Sequence, residues 1–353
     1  MLGYSYTRTP RTACRALIAG TVSLRAAERT LQLTDYSRIE LDALLLPTEN
    51  TVYIHGMCSD KDSDALLIAD NANRSVKAIA ESCLPVLVFQ CCADSSPRAL
   101  QLVRPVAGEG ATLLLVEWLA VAQQSARYAL VVAARSGKRF NETRRLQLPA
   151  LATDNPLACV SMATTSGGFV LIGNQRAKAL EMIDARDSSG ISRLAAPLPL
   201  GFAMFQFSLG EVDGRELLAV ITDGTTHTIR VLQMETSSGA PTLRPLVQLT
   251  AGDKSHLPSR VLLFGRHVLL GVWNESRQSH AVECLPVSGA PPSQPQVLRV
   301  EREVSIECWR AVSEQVLLFD FNHMMLQSLE CAFRARSGDI TPNRHLTKCH
   351  YAK

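Results

Sequence analysis

The sequence predicts an all-β fold, a β-propeller of six four-stranded blades with seven as the alternative. Three observations lead there. Pairs of apolar, strand-length runs recur, each pair joined by a short polar segment that opens on a small turn residue, which is the pattern of a β-hairpin. The turn residues fall at Asp70, Asn174, Asp223 and Asp320, separated by 104, 49 and 97 residues. The long gaps are twice the short one, and each holds a further hairpin, so units of about 50 residues repeat along the chain, a length suited to a four-stranded blade. Finally, no long helical periodicity interrupts the series.

Taken in order, the first hairpin runs from Leu66-Leu67-Ile68 through Asp70 to Val76 and Ile79. The second runs from Thr112–Trp118 through a polar excursion at 123–127 to Tyr128–Val132. The third joins Val170-Leu171-Ile172 through Asn174 to Leu180 and Ile183. The fourth joins Leu218–Ile221 through Asp223 to Ile229 and Leu232. His267–Trp273 leads through Asn274–Arg277 into Ala281–Leu285, and Val316–Phe319 leads through Asp320 to Leu326 and Leu329. Seven residues after the turn residue stand Lys77, Glu181, Arg230 and Gln327, polar between apolar neighbours, as in a half-buried strand. Linking strands are expected at Leu84–Phe89, Leu157–Met162, Ala203–Phe207, Ser259–Phe264 and Ile306–Val312. A sheet with two apolar faces cannot stand alone. Packing such sheets around an axis buries both faces and leaves only short edges. Closure of the ring needs a strand from the other end of the chain, and Leu17–Leu33 supplies the closing strand or a weak seventh blade.

The organisation read from this is a flexible basic N-terminus at 1–12, one propeller domain at 13–345 and a C-terminal tail at 346–353. Ser288–Pro295 is a long loop rather than a boundary. Of the 353 residues, 46% are hydrophobic and 20% charged, with a net charge of +3. These are the proportions of a soluble globular chain, and they give nucleic-acid binding no special support. No apolar stretch reaches the ~18 residues of a membrane helix. Ten cysteines are scattered without a Cys-x-x-Cys pair, which points to free thiols in a reducing compartment, the cytoplasm. The first 27 residues lack an acid and carry Arg8, Arg11, Arg15 and Arg25. That composition faintly matches an organelle transit peptide, against the plainer reading of a basic tail. Sequons at Asn73, Asn141 and Asn274 are read as chance in the absence of a signal peptide.

Leu66–Val76 resembles an NHL repeat, whose units read apolar-Ala-Asp followed by Asn-x-Arg-Val. Asp70, Asn73, Arg74 and Val76 are the matching positions. The other units keep the apolar skeleton and lose the Asn and Arg. The resemblance implies a six-bladed, TolB-like propeller over most of the chain. It also brings two functional expectations: propeller lactonases hold calcium with acidic and Asn ligands around the axis, and some NHL propellers bind RNA.

Each candidate site has a plainer counterpart. Asp70, Asn174, Asp223 and Asp320 could form a ring of calcium oxygens. Their identical place in each hairpin favours turn residues that accept backbone amides, and Glu117, Asp154 and Asn155 add little. His345, Cys349 and His350, with Cys331 upstream, lack paired zinc spacing. No Gly-x-Ser-x-Gly elbow is present, and Gly108–Gly110 and Gly167-Gly168 lack the rest of a phosphate loop. Cys91-Cys92 reads as a pair of inert thiols. Lys138, Arg139, Arg144 and Arg145 form a candidate interaction patch, with a solvated loop as its plainer reading. The function expected is therefore a non-enzymatic platform for a protein partner, with no cofactor, metal, catalytic residue or membrane. A calcium-dependent lactonase-like hydrolase and an RNA-binding propeller are the alternatives.

Overall fold

Runs such as Val170-Leu171-Ile172 and Leu217–Ile221 are apolar at successive positions, so a sheet built from them needs cover on both faces. A computed structural model supplies that cover with a ring of antiparallel sheets. It describes residues 21–23, 29–80, 84–104, 110–120, 127–151, 160–186, 194–222, 228–235, 241–251, 257–274, 277–287, 296–298, 306–312, 315–320 and 325–335.

Five blades have four strands each, paired in chain order. They are β3 (Ile54–Asp60), β4 (Ala65–Asp70), β5 (Ser75–Ile79) and β6 (Pro85–Gln90); then β7 (Ser95–Val103), β8 (Thr112–Leu119), β9 (Arg127–Ser136) and β10 (Arg139–Leu148). The third holds β11 (Met162–Thr164), β12 (Phe169–Asn174), β13 (Ala179–Asp184) and β14 (Leu194–Pro199). The fourth holds β15 (Gln206–Val212), β16 (Arg215–Ile221), β17 (Thr228–Glu235) and β18 (Thr242–Thr250). The fifth holds β19 (Leu257–Phe264), β20 (His267–Asn274), β21 (Ser279–Pro286) and β22 (Gln296–Leu298).

The remaining strands form one five-stranded sheet from both ends of the chain. β23 (Ile306–Val312), β24 (Gln315–Asp320) and β25 (Met325–Ala335) are continued outward by β2 (Arg29–Glu40) and β1 (Thr21–Ser23). β2 pairs with β25 from Arg29↔Ala335 to Glu40↔Met325. The closing strand is thus present, but it lies at Arg29–Glu40, overlapping only the end of the expected segment Leu17–Leu33. β1 adds to the same sheet rather than starting a seventh. The segments 1–20, 288–295 and 336–353 lie outside the described residues, and with them the proposed tails and long loop.

The first strand of each four-stranded blade, and β23, lie innermost; each contacts the next, and β23 returns to β3. An apolar core fills the space between each neighbouring pair of sheets. Leu67, Val76, Leu113 and Val131 meet between the first two blades. Val116, Leu130, Val170 and Ile183 meet at the next interface. Leu218 and Val220 pack on Leu180 and Phe207, while their strand neighbours Leu217, Ala219 and Ile221 face Val261, Leu263 and Val268 on the other side. Leu269, Ile306 and Leu318 form a fifth core, and Phe319, Leu44 and Ile68 a sixth.

The two covered faces correct one expectation. Lys77 and Glu181 stand not on a solvated face but buried, 0% and 5% exposed, while Arg230 is exposed. Lys77 and Glu181 have another sheet opposite them rather than water, whereas Arg230, at the same place on β17, does not.

Deleting residues 1–40 removes β2 and leaves β25 as an uncovered edge. Thermal unfolding followed by circular dichroism should shift to lower temperature, and light scattering should show concentration-dependent association; unchanged melting would contradict closure by β2.

Candidate functional site

Four innermost strands carry a β-bulge close to the end where they enter the ring. The ladder skips one residue between Ile54 and Gly56, Pro97 and Ala99, Pro258 and Arg260, and Ile306 and Cys308. The skipped residues are His55, Arg98, Ser259 and Glu307, the last with its side chain outside the described residues. A bulge frees one residue from the ladder and re-aims it, and bulges are frequent beside functional sites. Proline precedes the skipped residue in β7 and β19, where an inner strand's open edge tolerates a missing N–H. Gly56, beside His55, permits close approach: a Cβ there would meet Leu100 Cδ2 at 3.0 Å.

His55 lines an axial channel of about 230 Å³ bounded by residues of the inner strands. Arg98 Nη1 lies 3.0 Å from His55 Nε2. The guanidinium donates, so the neutral ring carries its hydrogen on Nδ1. Burial, then the charges of Arg98 and Arg260, hold the imidazole down to about 3. Arg98 and Arg260 are themselves buried, 4% and 8% exposed. Arg98 also lies over Trp118, 5.6 Å from the ring centre. His55 on β3, Arg98 on the next inner strand and Arg260 two inner strands away in the other direction therefore act on one another across the mouth.

Ser259 and His280 resemble a catalytic pair, with Oγ 2.7 Å from Nε2. The ring's other nitrogen, Nδ1, accepts the Ile306 amide at 3.0 Å. The proton then sits on Nε2, which donates to Ser259, whose hydroxyl is 3.4 Å from the Gly271 carbonyl. An imidazole in that tautomer cannot take the serine proton, so the pair braces β19 against β21 and β23.

Much of the channel's remaining polar lining joins one blade to the next. Phe207 N–H donates to Ser161 Oγ at 3.1 Å, Val261 N–H to Gln206 Oε1 at 3.0 Å, and Leu263 N–H to Ser208 Oγ at 3.0 Å. Trp309 Nε1 donates to the Val261 carbonyl at 3.2 Å. The lining contains no carboxylate among the described residues. Among the described residues, no three of His, Cys, Asp and Glu gather as metal ligands do.

The turn residues behave as hairpin builders. Asp70 Oδ1 accepts Tyr53 N–H at 3.1 Å and Asn73 N–H at 3.3 Å; Oδ2 accepts Asn73 Nδ2 at 2.6 Å and Lys77 Nζ at 2.7 Å. Lys77 also bonds Glu49 and the Leu44 carbonyl. In the third blade, Asn174 Oδ1 accepts Ala177 N–H at 2.9 Å while its Nδ2 donates to Glu181 at 2.6 Å. Both pairs occupy the turn position and its partner seven residues on. Asn274 Oδ1 accepts Arg277 N–H at 3.1 Å, a turn of the same kind. Asp320 ends β24. Asp223, Asp154, Asn155, His345, Cys349 and His350 lie outside the described residues, as does the side chain of Cys331.

The basic patch is a hairpin rather than a loop. Gly137, at φ +61°, and Lys138 form the turn between β9 and β10. Lys138, Arg139 and Arg144 are exposed. Arg145 is not part of an open patch: it bonds buried Glu117 at 2.6 Å and Glu142 at 2.8 Å. Those hydrogen bonds, Glu142 foremost, raise its pKa against burial. A bulge between Glu142 and Arg144 separates the two roles. Cys91 is buried, its thiol pushed up by desolvation and then by Glu117, whereas Cys92 is exposed. Sequence reasoning missed the bulged mouth altogether; the one available signal was Pro97 and Pro258 standing at the same place in two units.

No family model and no curated protein matches the chain. Solved structures share its fold. The soluble aldose sugar dehydrogenase of Escherichia coli in its apo form is 10% identical, with 86% of this chain and 99% of that one covered, at a TM-score of 0.52. A glucose dehydrogenase is 12% identical over 80% and 99%, at 0.51. The β-propeller domain of Myceliophteria thermophila Cps50 (Swd1) is 12% identical over 89% and 99%, at 0.50. At such identities the likeness establishes the propeller and nothing about activity.

Two outcomes follow. Lys77→Met should destabilise the chain by about 3–5 kcal/mol in denaturant unfolding, because Asp70 is left as an unpaired buried charge. Adding Asp70→Asn should recover part of that loss. For His55 the folded pKa is depressed, so its contribution is fully present above the unfolded value of 6.5 and is lost as pH falls towards 3. Wild-type stability should therefore decline below about pH 6.5 more steeply than that of His55→Gln, as read by chemical unfolding at several pH values.

Proposed function

We propose that this chain is a non-enzymatic propeller, six-bladed when the closing five-stranded sheet is counted, that docks a protein partner bearing an acidic surface. The observation that carries the reading is the β9–β10 hairpin. Three exposed cations, Lys138, Arg139 and Arg144, stand on the outermost strand of a rigid blade or in its turn, and none forms an ion pair with a described residue. Arg145 and its two glutamates fasten the hairpin to the blade beneath. Fixed charges of one sign on a rigid edge favour complementary acidic surfaces and speed encounter with them.

The channel supports the non-enzymatic half. The polar groups of its described lining are largely spent on inter-blade bonds and include no carboxylate to hold calcium, and the Ser259–His280 pair has the wrong tautomer for a base. The NHL-like positions fit the same view, since Asp70 and Asn73 build a turn and Arg74 bonds the Ala93 carbonyl. Cys58, Cys91, Cys92 and Cys284 form no disulfide among the described residues, which suits a reducing cytoplasm.

The test is affinity purification of the tagged chain beside a Lys138→Glu/Arg139→Glu/Arg144→Glu variant, with and without ribonuclease. A reproducible protein partner that is lost from the variant, released by salt and indifferent to ribonuclease is the expected result. Recovery that depends on RNA, or a partner retained by the variant, would sink the proposal.

A further inference from the structure

We infer that a groove on the outer flank of the fourth blade binds a small amphipathic carboxylate, an apolar body carrying one carboxylate group. The groove holds about 360 Å³ between the segment that leaves β14 and the strands β17 and β18. Leu200 and Phe202 line one side, Leu243, Pro245 and Leu246 the other, and Arg230 is the one charged residue in its described lining.

Three observations converge there. Arg230 breaks the repeat: it stands seven residues after the turn position, where the first and third blades hold buried Lys77 and Glu181 against Asp70 and Asn174. Arg230 is instead exposed, with its guanidinium over the Phe202 ring, 4.5 Å from the centre. Its side chain makes no hydrogen bond or ion pair with a described residue. The ladder of β18 breaks at the same place. Val231 pairs with Val247 and Leu232 with Pro245, so Leu246 is skipped, and it stands 43% exposed. The opposite wall is held in position. Gly201, at φ +71°, turns the chain between Leu200 and Phe202. Leu200 N–H donates to the Lys178 carbonyl at 3.0 Å, and Gln175 Nε2 to the Phe205 carbonyl at 2.6 Å.

These walls set the ligand class. Stacking on an aromatic ring occupies the face of a guanidinium and leaves its in-plane N–H donors open, in the fork that suits a carboxylate. The leucine, proline and phenylalanine side chains around it favour an apolar body, and the volume is that of a small-molecule site. A peptide adding to the sheet is disfavoured, because Pro245 lacks an N–H and the bulge interrupts the free edge of β18. The groove is separate from the β9–β10 hairpin, so it stands or falls independently of partner docking.

The probe is octanoate, set against octanol, which lacks the charge, and acetate, which lacks the tail. Calorimetry and melting temperature should show octanoate binding near one equivalent, about tenfold or more tighter than either control, as one charged hydrogen-bonding partner or one buried alkyl chain implies. Arg230→Gln should bring octanoate down to the level of octanol and leave octanol unchanged. Leu246→Ser should weaken both. Arg244→Gln, on the same strand but outside the groove's lining, should alter neither. The comparison of octanoate with octanol on the wild-type chain decides the matter even where a variant fails to fold. Octanoate binding no tighter than octanol or acetate, or surviving Arg230→Gln undiminished, would overturn the inference.

Discussion

The unpaired edge of the innermost strand is the constraint on which the ring depends. Each inner strand has one ladder partner, in its own sheet, and its other edge faces the axis and the next blade. Left bare, those backbone groups would be buried without partners, at about 1–3 kcal/mol each. Along β15 and β19 the edge is closed by side chains from the preceding blade: Ser161, Gln206 and Ser208 each accept one amide hydrogen. From the following sheet, Trp309 donates to a carbonyl of β19. The Gln206 and Ser208 bonds advance in step, two residues on each strand, which requires the two inner strands to run parallel. Blade is thereby tied to blade by directional bonds as well as by apolar contact.

This constraint also explains why charges appear inside the sheets. A middle strand has a neighbouring sheet on both sides, so a polar residue buried there, unlike exposed Arg230, must bring its partner along. Asp70 with Lys77 and Asn174 with Glu181 solve that problem in the same way at equivalent positions, the turn residue reaching its counterpart across the hairpin. Arg145 does it differently, crossing from an outer strand to neutralise buried Glu117. Breaking any such pair strands its partner in a medium that solvates charge poorly, so these contacts fix the alignment of the hairpins more than they add to stability.

The repeat was legible because two-faced strands are written as near-continuous apolar runs, as at Leu113–Val116 and Leu217–Ile221. Hairpin turns were legible through Asp70 and Asn174, whose short side chains reach the backbone three residues on. What escaped were strands that lack apolar runs because they lie outermost. β10 reads Arg-Phe-Asn-Glu-Thr-Arg-Arg and looks like a loop, yet its ladder to β9 extends from Arg139↔Ser136 to Leu148↔Tyr128. The burial of Lys77 and Glu181 escaped for the converse reason. Polarity on a strand ordinarily signals water, and only tertiary packing reveals a partner. The mouth was the least legible of all, because it joins His55, Arg98 and Arg260 from three blades, 43 and 162 residues apart along the chain.

That last failure shows where function is to be sought in such a fold. A repeat makes every blade alike, and whatever is alike in all blades serves the ring. Ser208 and Gln206 illustrate this, since both are polar, both line the channel, and both are consumed in holding the next strand. Individuality begins where the repeat breaks. The bulges at His55, Arg98, Ser259 and Glu307 recur near the same end of four inner strands but fall on four unlike residue types, so shared geometry carries unlike chemistry. The bulge in β10 does the same on the outer edge, turning Arg145 inward while Arg144 remains outside. Both features cost regular pairing, and bulges are over-represented beside functional sites, so these are the places where the chain departs from what the ring alone requires.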